Sequence, residues 1–328
     1  MVRRTRYFLF GSVAVLLVGL CTGLIAYYGG LPMGALAKTG IPAELEYVPP
    51  DAALVAYANV HDVMTSDLRQ RLRNVAPEKD EGQAEFERHT GINIERDIDH
   101  VVAFVTRPAD EQSHQGMVLA AGRFDLTRLE GLALQHGGEA ETYKGTRLVT
   151  RPRDADGGSD LTIAFLNPST VAVGDTGSVK ASIDRFGGNN VTANQELMDL
   201  IRQVEGGNAW AVGRFDALMD HAKLPPEVAG QIPAIRWFSA SGQVNGGITG
   251  TVRAEARDEE AGRNLREVVQ GFLALARMQA GAKPEIQTLV NSLELTGAGK
   301  SVALRFTVPA TVFDTLGPPS PPDAPEAP

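Results

Sequence analysis

The chain has 328 residues, 43% of them hydrophobic and 22% charged, with 31 Lys and Arg against 40 Asp and Glu and a single cysteine. At about 150 residues per domain there is room for two compact units, and the composition excludes collagen, a coiled coil and a disordered chain. The excess of acid repels phosphate backbones and anionic lipid heads, which argues against a nucleic-acid partner.

In chain order the first feature is a run of 22 uncharged residues, Tyr7 to Tyr28, with Leu16 and Leu17 at its centre. As a helix it would rise about 33 Å, enough to span a hydrocarbon core of about 30 Å. Arg3, Arg4 and Arg6 precede it, and no cation follows before Lys38. The positive-inside rule then leaves residues 1–6 as a cytoplasmic basic segment, makes 7–28 a signal-anchor helix and places the body outside, in the periplasm or beyond the cell. The competing reading is a signal peptide cleaved near Ala37, after Ala35-Leu36-Ala37, but the apolar run exceeds the usual signal core. Both readings export the body. Cys21 lies inside the run, so the body holds no disulfide and depends on its core. Without Arg3, Arg4 and Arg6 the basic count falls to 28 against 40 acids, a net charge of −12.

Residues 29–50, rich in Gly and Pro, are predicted to be a linker, and residues 317–328, with six prolines, a disordered tail. Between them strands and helices alternate. Leu54 to Val60 is a β-favouring run followed by Asp62 as N-cap candidate for Val63 to Leu72. Val101 to Val105 and Met117 to Gly122 are strands, and Asp125 caps the helix Leu126 to Gln135. Lys144-Gly145 turns a hairpin, Asn167 to Thr170 turns another, and Asp175 caps a helix with Val179, Ile183 and Phe186 on one face. A helix carrying Leu197, Leu200, Ile201 and Val204 leads into a second round. That round has a strand over 209–213 with Asp216 as cap, a hairpin about Asn245-Gly246-Gly247, and a long helix from Asp258. Its apolar stripe is Ala261, Leu265, Val268, Val269, Phe272, Leu273 and Ala276, and a closing hairpin over 293–306 follows.

Asp62 matches Asp216 and Asp125 matches Asp258, so the two rounds repeat one order. β-α-β-β-α-β is the split βαβ pattern, and the predicted architecture is α+β: one transmembrane helix followed by two tandem ferredoxin-like units with extra strands, over 51–190 and 191–316. The phrase Tyr143-Lys144-Gly145-Thr146, followed by Ile163 to Leu166 and Val171 to Asp175 before a helix, resembles a group of uncharacterised exported bacterial proteins. The resemblance extends to Ile248–Thr315. It implies membrane-anchored or lipid-modified proteins with duplicated α+β domains, and no catalytic residues.

Gly297 to Ser301 has the look of a phosphate loop, but Glu294 replaces the opening glycine and a strand follows where a helix is needed. Asp154, Asp156 and Asp160 cluster around Gly157-Gly158, yet the calcium-loop spacing fails at Gly158 and Phe165. The six histidines, at 61, 89, 100, 114, 136 and 221, never reach metal-ligand spacing, and His61 and His221 read as surface residues near helix ends. Ser241 lacks the first glycine of a hydrolase elbow. Glu95, Asp97 and Asp99, interleaved by Arg96, read as a solvated edge; Trp210, Trp237, Phe238 and Phe272 read as core rather than a ligand cavity.

The expectation is a single-pass protein of the inner or cytoplasmic membrane with no cofactor and no metal, whose body binds or scaffolds an envelope protein partner without catalysis. The alternatives are a carrier or chaperone-like module for an apolar ligand and a hydrolase whose site leaves no motif.

Overall fold

A computed structural model describes residues 41–75, 81–106, 115–152, 160–215, 235–279, 284–310 and 312. Tyr7, Leu16, Leu17 and Tyr28 of the apolar run, Arg3, Arg4 and Arg6 before it, and the tail over 317–328 lie outside the described residues, as do Asp154, Asp156, Asp216 and His221. Among the described residues no helix is long and apolar enough to cross a membrane.

The fold is α+β, built on one antiparallel sheet. Its strands are β1 (Leu54–Ala58), β2 (Ile98–Thr106), β3 (Gln115–Gly122), β4 (Glu139–Tyr143), β5 (Thr146–Arg151) and β6 (Leu161–Asn167). They continue with β7 (Thr170–Gly174), β8 (Ala209–Arg214), β9 (Ile235–Val244), β10 (Gly247–Ala256), β11 (Glu294–Thr296) and β12 (Ser301–Pro309). The spatial order is β11-β12-β10-β9-β8-β1-β2-β3-β7-β6-β5-β4. Each half opens as a meander, β1-β2-β3 and β8-β9-β10, and every ladder is antiparallel. This differs from the ferredoxin-like units expected from element order. Residue patterning shows which segments are strands, whereas strand neighbours depend on long-range pairing that the pattern does not encode.

The two halves join where β1 pairs with β8 through Ala56↔Ala211, with Leu54↔Gly213 and Ala58↔Ala209 on either side. Pairing the leading strand of each half removes two open edges. A second bond between the halves runs over one face of the sheet. Helices α1 (Val60–Met64) and α2 (Asp67–Val75) follow β1, and Val63 and Leu68 pack on Val244, Ile248, Phe306 and Val308 of the other half. We call this face the back.

Three further helices precede and follow β2 and β3: α3 (Glu81–Thr90), α4 (Ile94–Asp97) and α5 (Leu126–Gln135). α5 covers the back of β5, β6 and β7 through Leu126, Leu129 and Ala133. On the front lie α6 (Thr176–Arg185) and α7 (Gln195–Val204), whose Val179, Leu197, Ile201 and Val204 share the largest core cluster with Val102, Leu119, Leu148 and Trp210. α8 (Glu259–Gln279) and α9 (Pro284–Asn291) bridge β10 and β11.

Residues 41–50 are not a linker. Their 3-10 turn, Ala43–Tyr47, buries Leu45, Tyr47 and Val48 in the front core, because three apolar side chains in six residues outweigh the flanking prolines. The caps at Asp125, Asp175 and Asp258 form as predicted, accepting from the amides of Arg128, Ser178 and Ala261. At the first helix the cap is Asn59, not Asp62: Asn59 Oδ1 accepts from Asp62 N at 2.9 Å, starting the helix three residues early. The β4–β5 turn has Lys144 at φ 48° and Gly145 at φ 85°, the two left-handed positions of a type I′ hairpin.

Candidate functional site

One front-face row of directly opposed residues crosses all twelve strands, and its character defines the candidate site. In the first half it runs from Glu141 through Leu148, Ala164, Ala172, Leu119 and Val102 to Tyr57. Across the junction it passes to Trp210, then to Ser241, Thr251, Arg305 and Glu294. From Leu148 to Val102 each member is fully buried beneath the front helices, and Trp210 is 1% exposed; Ser241 and Thr251 are half-buried, and Arg305 and Glu294 are exposed.

Beyond Trp210 the front of the sheet is an open groove of about 360 Å³. Its floor is Ser241, Thr249, Thr251 and Thr307, with Arg305 towards the sheet edge, and its wall is the end of α7 with Gln203 and the Gly206-Gly207 turn. Among the described residues no carboxylate lines it. Gly207 permits the wall to meet the floor closely, since a Cβ there would fall 2.7 Å from the Gly242 carbonyl oxygen. Arg253 stands on the same front face and donates to Gln203 at 2.8 Å, tying β10 to α7. Hydroxyls, amides and a guanidinium on a rigid sheet can hydrogen-bond a polar or anionic ligand.

A second polar cluster lies at the junction. His100 Nε2 is 2.9 Å from Glu44 Oε2, the Tyr57 ring lies 5.6 Å from His100, and Tyr57 stacks on Trp210 at 5.5 Å. Burial pushes the Glu44 carboxyl up, but the His100 hydrogen bond and charge, with a backbone N–H, outweigh it and leave the carboxyl below its ordinary value. Burial, followed by the charges of Asp62 and Glu44, pushes the Tyr57 phenol up to about 12. A carboxylate-oriented imidazole is half of an acyl-transfer machine, which also needs a nucleophile within hydrogen-bond reach. The partner that Glu44 and His100 share here is the 3-10 turn itself, which the pair ties to β2.

The remaining candidates are dispersed. Glu95 is not on a solvated edge: it is buried beside Arg69, 3.7 Å away, because the short helix α4 turns it inward beneath α2, while Asp97 caps locally through the amide of Asn93 and pairs with Arg96. His61 is half-buried near the start of α1. Both its ring nitrogens are enclosed, without hydrogen-bond partners among the described residues. Gly297 to Ser301 forms the β11–β12 turn, with Gly297 at φ 97° and Gly299 at φ 58°. Trp210 and Trp237 are buried on the front and Phe238 on the back, so they line no common cavity. Phe272 is not core: it is 63% exposed. Among the described residues no three His, Cys, Asp or Glu side chains gather as a metal site.

The open groove was not visible in the sequence. Its signal is the sequence Thr249, Thr251, Arg253 against Met117, Leu119, Ala121, the corresponding alternate positions of the third strand in each half. Comparison of the chain with protein-family models, with curated proteins and with solved structures finds no match.

Proposed function

We propose that this chain is a single-pass envelope protein, anchored by Tyr7–Tyr28 with its amino terminus in the cytoplasm, whose body binds a polar partner outside the membrane without covalent chemistry. The anchoring rests on the length of the apolar run and on Arg3, Arg4 and Arg6 before it. A duplicated ancestry for the two halves, as in the exported proteins the sequence resembles, accounts for the matching order of β1-β2-β3 and β8-β9-β10.

One observation carries the binding reading: the front face is sealed by α6 in one half, and in the other it opens into a polar groove whose described lining includes Arg305 and no Asp or Glu. Apolar strand positions would be needed if that face served only to be covered, and Thr249, Thr251 and Thr307 are not apolar. The test is photo-crosslinking in intact cells, with a photoreactive residue replacing Thr251 in the full chain and, as control, Leu134 on the exposed side of α5. A discrete protein adduct from position 251 and none from 134 supports the reading. Equal labelling from both, or turnover of esters, peptides or phosphates by the purified full chain that Ser241→Ala abolishes, overturns it.

A further inference from the structure

α8 is the longest helix among the described residues, and its two halves differ. The first packs through Gly262 and Leu265: a Cβ at 262 would fall 2.4 Å from the Gly299 carbonyl oxygen, and Arg266 donates to the Ser301 carbonyl. The second carries an uncovered apolar stripe on its outer side. Phe272, Leu275 and Met278, at i, i+3 and i+6, are 63%, 49% and 79% exposed, while Leu273 faces inward at 8%. Phe272 and Met278 are the two most exposed large apolar side chains among the described residues. The arc they occupy includes Gly271, with nothing within 4 Å of its Cβ position.

We infer that this stripe lies in the interfacial layer of the lipid bilayer that the amino-terminal run enters, so that the body is held flat against the membrane at two points. The inference rests on the anchored reading above. Three observations choose lipid as the occupant. First, charge: in a body of net −12, residues 268–279 contain no Asp or Glu and one cation, Arg277. The stripe's own segment thus brings no carboxylate into a headgroup layer, and exposed acids more than about 10 Å away are largely screened. Second, reach: residues 29–40 span at most about 40 Å when extended, so the anchor keeps the body within a molecular diameter of the bilayer. Insertion is then intramolecular, and a short stripe suffices where a free helix would need a longer one. Third, size: three side chains at one helix end fall far short of the roughly 20–30 residues per side of a stable protein interface.

The test uses the full chain in nanodiscs of phosphatidylethanolamine and phosphatidylglycerol with brominated acyl chains, which quench tryptophan on contact. Phe272→Trp probes the stripe and Leu17→Trp the anchor. Trp210 and Trp237 are buried and common to both variants, so the unsubstituted chain supplies the background. The expected result is quenching of both probes, with about a twofold loss of emission at position 272, appropriate to a depth of about 5–10 Å in the headgroup–acyl boundary. Quenching at 17 but not at 272 overturns the inference and leaves anchoring intact. Quenching at neither overturns both. An unquenched position 272 in discs that hold two chains assigns the stripe to a second copy, which also overturns the inference.

Discussion

The two halves of this sheet begin alike and end differently. Each leads with a three-strand meander, and the two leading strands pair about Ala56 and Ala211. On the front of the first half the third strand offers Met117 and Leu119 to Val179 of α6. On the front of the second the third strand offers Thr249 and Thr251 to a groove and Arg253 to Gln203 of its wall. The change occurs within one interstrand step, from Trp210 to Ser241, and it involves no break in the ladder. One backbone thus supports a sealed layer and an exposed one, and side-chain chemistry alone sets which is which. On the proposed reading the first half of the row serves stability and the second recognition, and substitutions along it separate the two.

The largest effect is expected on the sealed side. Leu119 is fully buried, so Leu119→Ala should destabilise the protein by about 2–5 kcal/mol through lost transfer energy and a residual cavity. Urea denaturation of the full chain in detergent measures it. If Thr251→Ala on the open side costs as much, the proposed division is wrong, because an exposed-face substitution should stay within about 0.5 kcal/mol.

Next comes the junction. His100→Ala removes the hydrogen bond to a largely buried carboxylate and should cost about 1–2 kcal/mol. Glu44 sits below its ordinary value of 4.5 in the folded protein, so its contribution is complete above that pH and is lost as pH falls through the lower folded value. Thermal melts from neutral to acid pH should therefore show a stability decrement below about pH 4.5 that Glu44→Gln lacks. Tyr57 shifts the other way: its phenol is held protonated to about 12, so its phenolate absorbance should appear late, and its contribution should fade between about pH 10 and 12.

A smaller effect is expected where α6 is fastened. Asp175 Oδ1 accepts from Ser178 N and Oδ2 from Gly116 N, both at 2.8 Å, so one carboxylate both caps the helix and pins it to β3. Asp175→Ala should cost about 1 kcal/mol. Asp258→Ala should cost less, since that carboxylate caps α8 without reaching a strand. Equal losses would mean that Asp175 contributes as a cap only and that α6 is held by Val179 without help.

Much of this was legible in the sequence because local signals agree. Asp125, Asp175 and Asp258 are caps in pattern and in fact, Lys144-Gly145 turns the hairpin its residues require, and Leu197, Leu200, Ile201 and Val204 are buried on one face of α7 as their spacing demands. What was not legible depends on distance along the chain. The β1–β8 pairing links residues more than 150 positions apart, and nothing local distinguishes it from two separate sheets. The 3-10 turn at 43–47 has the look of a linker in sequence because the flanking Pro42, Pro49 and Pro50 are local and its partners Val179 and Val191 are not. Phe272 has the helical spacing of a core residue, but at this end of α8 it is Leu273 that faces inward, and periodicity gives a face without giving a partner. The groove escaped for the opposite reason: alternating Thr and Arg in β10 reads as an ordinary solvated strand unless the helix covering the other half is known.

The smallest expected effect discriminates most finely between two accounts of the open face. Thr251→Val keeps shape and removes a hydroxyl at the groove floor. Were this face the seat of another apolar segment of the chain, the substitution would bury an added methyl and raise stability, as apolar replacements do in a covered layer. If the face is built to meet a polar partner, stability should change by less than about 0.5 kcal/mol, while crosslinking from a neighbouring groove position, Thr307, falls because one donor and acceptor is gone. Measuring both in the same variant matters, because a fall in crosslinking with a gain in stability would reassign the groove from recognition to packing, and with it the contrast between the two halves.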